Sequence, residues 1–335
     1  MPNSKISIPD HTISWLLDPA DPGAKYLALL RLGLGSKSDL ADAREVAHNE
    51  GPISKVLCAM HPDGFWENDG PGYLPKYRSS AWSIILLSQL GAKADQDPQI
   101  ARACSRYLDE AISPKGHISS NGAPSGTVDC LQGNILAALF QLGYSDPRLK
   151  DAVEWMARST TGDGVAPMSD KKAPLRYYSG KIGPGFQCGA NNKLPCAWGA
   201  CKVMLAFSHL PENEMTPLAK MAIDQGVKFL FSIDPASAEY PHGWSAKPSG
   251  NWWKFGFPVF YVTDLLQVCE VLIRLGYGRD PRLQNAISLI KEKMTPDGKW
   301  LLEYDYKGKT WVDFGEKKEP NKWVTIRAYQ VLSQI

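Results

Sequence analysis

Three cysteines, a pair of aspartates and a set of aromatic residues are the side chains of this 335-residue chain whose spacing supports chemistry. Cys130 and Cys196 each stand at the start of an apolar helical run, and Cys188 sits eight residues before Cys196 in a glycine-rich stretch. A helix N-terminus favours the thiolate, the form that binds zinc. Three thiolates with one open position would suit a catalytic zinc, with Zn–S bonds of about 2.3 Å. His61, His117 or His242, each near a turn, would be able to replace one ligand. The same three thiols are equally read as small packing residues, and their spacing lies outside the usual zinc-ribbon range. Cys201 falls roughly 140° round the helix from Cys196 and is left out, and Cys58, Cys104 and Cys269 read as core. An odd total of seven cysteines, scattered through helical segments, indicates thiols rather than a disulfide framework.

Asp264 follows a run of mostly apolar and aromatic residues that includes Tyr261, and it precedes Leu265-Leu266. It is either an N-cap or a general acid or base whose pKa is raised by apolar surroundings. Asp129 divides in the same way. Tyr261 joins these two as a catalytic candidate. Tyr73, Lys76 and Tyr77 precede another apolar run and would bind a polar substrate group, or only hold their loop. Of eleven tryptophans, Trp82, Trp198, Trp253 and Trp323 are the candidates to line an apolar or cation-stabilising cavity. Packing of repeat against repeat accounts for them equally well.

What must position these residues is a unit of about fifty residues that repeats along the chain. A turn opens it, as in Asp63-Gly64, Gly116-His117, Asp163-Gly164, Gly243-Trp244 and Asp297-Gly298. An apolar helix follows and stops at Leu-Gly, at Gly33, Gly91, Gly143 and Gly276. Asp-Pro then starts a second helix at Asp97-Pro98, Asp146-Pro147 and Asp280-Pro281. Helices apolar all round (82–90, 131–142, 198–210, 263–275 and 324–332) must be buried all round. They alternate with amphipathic ones at 100–112, 148–158, 217–231 and 282–293. The pattern predicts an all-α fold, an α/α toroid of five to six inner and outer helix pairs, as one domain over residues 1–335. A further inner helix falls near 26–32. All inner helices then start at one end of the ring. The only strand signal is a small hairpin from 300–304 and 309–313.

This pattern resembles the terpenoid cyclase and protein prenyltransferase group of α/α toroids. The Asp-Gly-x-Trp turns are similar to the Gln-Trp repeats of squalene-type cyclases. More narrowly, residues 26–33, 130–134, 196–202, 255–264 and 322–328 resemble prokaryotic prenyltransferase-like proteins of this length. The resemblance runs from about Trp15 to Leu332 and implies a hydrophobic or aromatic, terpenoid-like substrate in the central cavity. It does not carry over a mechanism. The Asp-x-Asp-Asp acid of class II cyclases and the Asp-Asp-x-x-Asp of class I synthases do not occur, and Asp129-Cys130 lacks the spacing of the prenyltransferase zinc motif.

Together these readings predict an enzyme, zinc-assisted rather than started by an Asp-x-Asp-Asp acid, acting as a transferase, lyase or hydrolase. A non-catalytic module for apolar ligands and a scaffold subunit pairing with a helical partner are the alternatives. With 37 basic and 35 acidic residues the overall charge balance gives no electrostatic reason to expect nucleic acid or an anionic membrane. No stretch approaches the roughly 20 apolar residues that span a bilayer, so a cytoplasmic protein is expected.

Overall fold

The computed structural model describes residues 7–245 and 247–335 and is predominantly helical. In chain order the helices are α1 (Asp10–Leu16), α2 (Pro22–Leu32), α3 (Lys37–Glu50), α4 (Pro52–Cys58), α5 (Ser80–Gln89), α6 (Pro98–Ala111) and α7 (Asp129–Gln141). There follow α8 (Arg148–Thr161), α9 (Ala197–Phe207), α10 (Pro217–Leu230), α11 (Leu265–Leu272), α12 (Gln284–Glu292) and α13 (Lys322–Leu332).

Local chemistry sets these bounds. The four Leu-Gly glycines take positive φ, between 65° at Gly33 and 96° at Gly276, where a side chain would be strained. Asp97, Asp146 and Asp280 each accept the backbone N–H two residues on, at 2.8 to 2.9 Å. The turn tryptophans tie the two kinds of helix together. Trp66 Nε1 donates to the Val56 carbonyl and Trp300 Nε1 to the Ile290 carbonyl, both at 2.8 Å and both ten residues back. Their own backbone N–H groups donate to Ser80 and Thr325 on the following helices, at 3.1 and 3.0 Å. In these two repeats the tryptophan thus staples the preceding helix to the start of a buried one.

The buried helices α2, α5, α7, α9, α11 and α13 pack in sequence. α5 lies against α7, α7 against α9, α9 and α13 against α11, and α13 against α2. Tyr26 and Arg31 of α2 hydrogen-bond the Gly91 and Gln89 carbonyls at the end of α5, at 2.8 and 3.0 Å. The tightest seam joins α7 to α9. A Cβ on Gly133 would lie 2.4 Å from the Lys202 backbone carbonyl, an overlap that only separation of the two helices relieves. Gly133→Ala should therefore cost at least about 1–3 kcal/mol, read as a lower melting temperature. An unchanged transition would mean that the seam is slack.

Two expectations are corrected. The 300–304 and 309–313 hairpin does not form. Residues 300–302 instead meet 318–321 through Leu302 N–H to Glu319 O and Asn321 N–H to Trp300 O, and Glu303 N–H reaches the Phe255 carbonyl. The one two-stranded ladder among the described residues pairs β1 (Gln187–Cys188) with β2 (Leu194–Pro195). The second correction is the interior. The chain's own segment 255–261 threads among the buried helices, with Phe255, Phe257 and Phe260 buried. Gln89 of α5 holds both the N–H and the carbonyl of Val259, each at 2.8 Å. Asn134 of α7 holds the Phe260 carbonyl at 3.0 Å, and Arg327 of α13 the Gly256 carbonyl at 2.7 Å. What remains between Arg31, Gln89, Asn134, Gln267, Glu270 and Arg327 is a cavity of about 30 Å³. That is room for water, whereas a ligand pocket needs about 300 Å³ or more. No described helix is long and apolar enough to cross a membrane.

Candidate active site

The starts of the buried helices bring two groups of predicted residues together. In the first, Trp82 of α5 lies 5.5 Å from the Tyr73 ring, 5.3 Å from Tyr77 and 5.3 Å from Tyr261. Its indole N–H donates to the Tyr73 carbonyl at 2.8 Å, which fixes the approach of the loop to the helix. The Tyr73 and Tyr261 hydroxyls hydrogen-bond each other. Exposed Lys76 stands over both rings, 5.8 Å from Tyr73 and 5.1 Å from Tyr261. Phe260 and Tyr306 complete the cluster against Tyr77, at 5.4 and 4.5 Å. Tyr306 carried no sequence signal, because it lies in an irregular stretch outside every repeat element. Burial is the first cause that raises the pKa of Tyr73, Tyr77 and Tyr261. All three are therefore neutral hydrogen-bonding groups at pH 7.

The second group surrounds Asp129, the first residue of α7. Its side chain is buried, and among the described residues no group hydrogen-bonds its carboxyl. Burial alone pushes its pKa up from 3.8 to about 8, so the carboxyl keeps its proton at pH 7. A Cβ on Gly199 of α9 would lie 3.5 Å from the Asp129 Cβ and 4.0 Å from Cys196 Sγ. These are ordinary packing distances, which place Asp129 and Cys196 on either side of the first turn of α9. The next residue, Cys130, turns to Tyr261 and lies within hydrogen-bonding reach of it.

The thiols do not behave as the helix-start argument predicts. Backbone N–H groups of Gly199 and Trp198 do lower the Cys196 pKa, yet burial outweighs them and pushes it up to about 11. Burial also raises Cys130, and Cys196, Asp129 and Cys188 add to the rise. Cys188, half-buried in β1, thus belongs to the same electrostatic neighbourhood. Among the described residues, however, no three His, Cys, Asp or Glu side chains are grouped to hold a metal ion. The donor set Cys130, Cys188 and Cys196 does not fit zinc as it stands. Of the remaining cysteines, Cys104 and Cys269 are buried as expected for core, Cys58 is exposed against that expectation, and Cys201 is buried too.

Asp264 is held otherwise. One oxygen caps α11 through the Gln267 N–H at 2.8 Å, and Arg327 grips both oxygens at 2.8 and 2.9 Å. The Gly256 N–H adds a third donor at 3.3 Å. With every direction filled, this carboxylate anchors segment 255–261 and has no lone pair free for a substrate. Trp253 spends its indole N–H on the Ala236 carbonyl at 2.8 Å. Trp323 stacks on Phe257 at 4.8 Å. Neither Trp253 nor Trp323 lines the hollow between α8 and β1, and Trp323 lines a separate one with Trp15, Pro52 and Phe314. Trp198, half-buried, follows Cys196 at the start of α9.

Beside the second group lies a hollow of about 400 Å³ between the end of α8 and β1. Its wall is mostly apolar, with Val165, Pro167, Met168, Tyr177 and Ile182, and Cys188 forms part of it. Asp129 is not itself in the wall of the hollow, but Tyr177 is, and it lies within electrostatic reach of the acid. Its hydroxyl donates to the Ser159 carbonyl at 2.9 Å, and its pKa is raised first by burial and then by Asp129.

No family model and no curated protein matches the chain. Among solved structures it is similar to a protein from Actinoplanes, at 12% identity and a TM-score of 0.43, over 93% of this chain and 89% of that one. It is also similar to a type II terpene cyclase from Scytonema. At 11% identity, 84% of this chain covers 94% of the apo form with a TM-score of 0.29. The form in complex with merosterolic acid A gives 93% and 0.30. Likeness this distant assigns no activity to the chain.

Proposed function

We propose that the closed succession α2, α5, α7, α9, α11 and α13 is the inner ring of an α/α toroid, and that the protein is an enzyme acting on a hydrophobic, terpenoid-like molecule. The reaction space is the hollow beside Tyr177 and Cys188, since the ring centre is filled by segment 255–261. The single observation that carries this reading is Asp129, a buried carboxyl with no hydrogen-bond partner among the described residues, whose pKa burial pushes up to about 8. Such a group is a general acid at neutral pH.

In the reaction this supports, the Asp129 proton adds to one carbon of an alkene, whose π electrons form the new C–H bond. The neighbouring carbon becomes a cation, which aromatic faces stabilise. Loss of a proton from another carbon restores a double bond, and the resulting carboxylate is reprotonated. The product is an isomer of the substrate. Cys130 and Cys196, near Asp129 and kept protonated by burial, do not compete with it as bases.

Incubation with prenyl alcohols and prenylated aromatics in D2O tests this. A product of unchanged skeleton formula carrying one solvent deuteron on carbon is the expected result, absent in Asp129→Asn. Tight binding with unchanged ligand would favour an apolar-ligand carrier instead. One zinc per chain, removed by Cys196→Ser along with turnover, would replace the acid with a Lewis-acid mechanism.

A further inference from the structure

We propose that the rim of this hollow docks the protein onto an anionic lipid surface. The inference rests on the apolar-substrate reading above only for its purpose, not for its observations. Three large apolar side chains stand exposed at the rim, Met168 at 51%, Leu194 at 39% and Trp244 at 74%. They belong to one place. Met168 lines the hollow with Lys193 and Cys188, and Leu194 is the β2 partner of Cys188. The Trp244 indole N–H donates to the Ala190 carbonyl at 2.8 Å, in the turn between β1 and β2. That bond satisfies the one polar atom of the indole on the protein itself. The ring faces are left to the outside, the arrangement a tryptophan takes at a membrane–water interface.

Charge identifies the occupant. Between Gly162 and Cys196 the chain carries five basic residues, Lys171, Lys172, Arg176, Lys181 and Lys193, against Asp163 and Asp170. The whole chain is only +2, so this one segment is more positive than the entire molecule. Asp163 is already paired with Arg158 at 3.5 Å. Among the described residues none of the four lysines has an acidic partner, and all are exposed. Exposed lysines without an acidic partner among the described residues also occur elsewhere, as at Lys150 and Lys220, so it is their grouping with exposed apolar side chains that marks this face. Unpaired lysines around exposed apolar side chains fit the negative potential of anionic headgroups above an acyl layer. An apolar substrate would then pass from the bilayer into the hollow without crossing water.

Flotation of the full chain with vesicles tests the proposal, using phosphatidylcholine alone and phosphatidylcholine with phosphatidylglycerol. Binding is expected only to the second kind and should fall as salt rises. Lys171→Ser with Lys172→Ser should weaken it about twenty-fold, at about fivefold per lysine. Trp244→Phe should remove a blue shift of tryptophan emission that vesicles induce in the parent protein. Both variants alter exposed side chains, and circular dichroism confirms their folding. Absence of binding to anionic vesicles at low salt overturns the proposal. So does binding that the substitutions leave unchanged, or capture of an acidic soluble protein by this face with no vesicle binding. Asp129→Asn should float as the parent does. Docking without turnover would sink the enzyme reading alone, and turnover in detergent without docking would sink this one alone.

Discussion

Asp129→Asn should abolish turnover and, at pH 8, raise the melting temperature. The sign follows from proton linkage. In the unfolded chain this carboxyl ionises near 3.8, and in the folded protein only near 8. Between those values folding takes up a proton, so stability falls as pH rises, by about 1.4 kcal/mol per pH unit. The accumulated penalty is on the order of 5 kcal/mol by pH 8 and stays constant above it. Below pH 4 both states hold the proton and the penalty vanishes. Asparagine does not titrate, so the variant should lose this slope. Its melting temperature should match the parent near pH 4 and exceed it near pH 8. Turnover of the parent should be level below pH 8 and decline about tenfold per unit above it, as the acid form is depleted. An equal melting shift at both pH values would mean that the folded protein holds Asp129 ionised, and the acid role would fall with it. The destabilisation is itself informative. A carboxyl that costs stability at neutral pH is what a functional site can carry.

Much of the frame was legible because its signals are local. A Leu-Gly stop, an Asp-Pro start and an apolar run each act within a few residues, and α5, α7, α9 and α13 begin within a few residues of where those signals put them. The long helix α3 was not legible, since among its fourteen residues only Ala43 and Ala47 are buried, and two alanines make no apolar stripe. The hairpin error has the opposite origin. Residues 300–304 alternate as a strand does, but their partners lie at 318–321 and 255, positions that periodicity cannot name. The site divides in the same way. Asp129 and Asp264 looked alike in sequence, each an acid at a helix start. What separates them is Arg327, sixty-three residues beyond Asp264, and the apolar roof that leaves Asp129 without such a partner. Cys130 and Cys196 were placed correctly at helix starts, and their protonation was misjudged because burial outweighs the helix end. The filled interior had one trace in the sequence. Gln89 and Asn134 are amides in otherwise apolar helices, and both turned out to hold the backbone of segment 255–261.

That segment gives the second large effect. Arg327→Met should cost about 3–5 kcal/mol, because it leaves the Asp264 carboxylate buried without its counter-ion. It also strips the Gly256 carbonyl of its donor. The pair is buried to the same extent on both sides, at 4% each, so the penalty of an orphaned charge applies in full rather than being screened by water. Segment 255–261 should loosen first. Amide exchange at Val259, whose N–H donates to Gln89, should accelerate well before the helices open. Adding Asp264→Asn should recover much of the loss. Asparagine keeps the cap on Gln267 and carries no charge to be orphaned. Urea unfolding of the single and double variants measures this coupling, and additive losses would show that the two side chains act independently. The double variant also separates the two aspartates by function. It should retain turnover once refolded stability is matched, because Asp264 acts only as the anchor of the segment. A double variant as stable as the parent but without turnover would return Asp264 to the reaction and displace Asp129 as its sole acid.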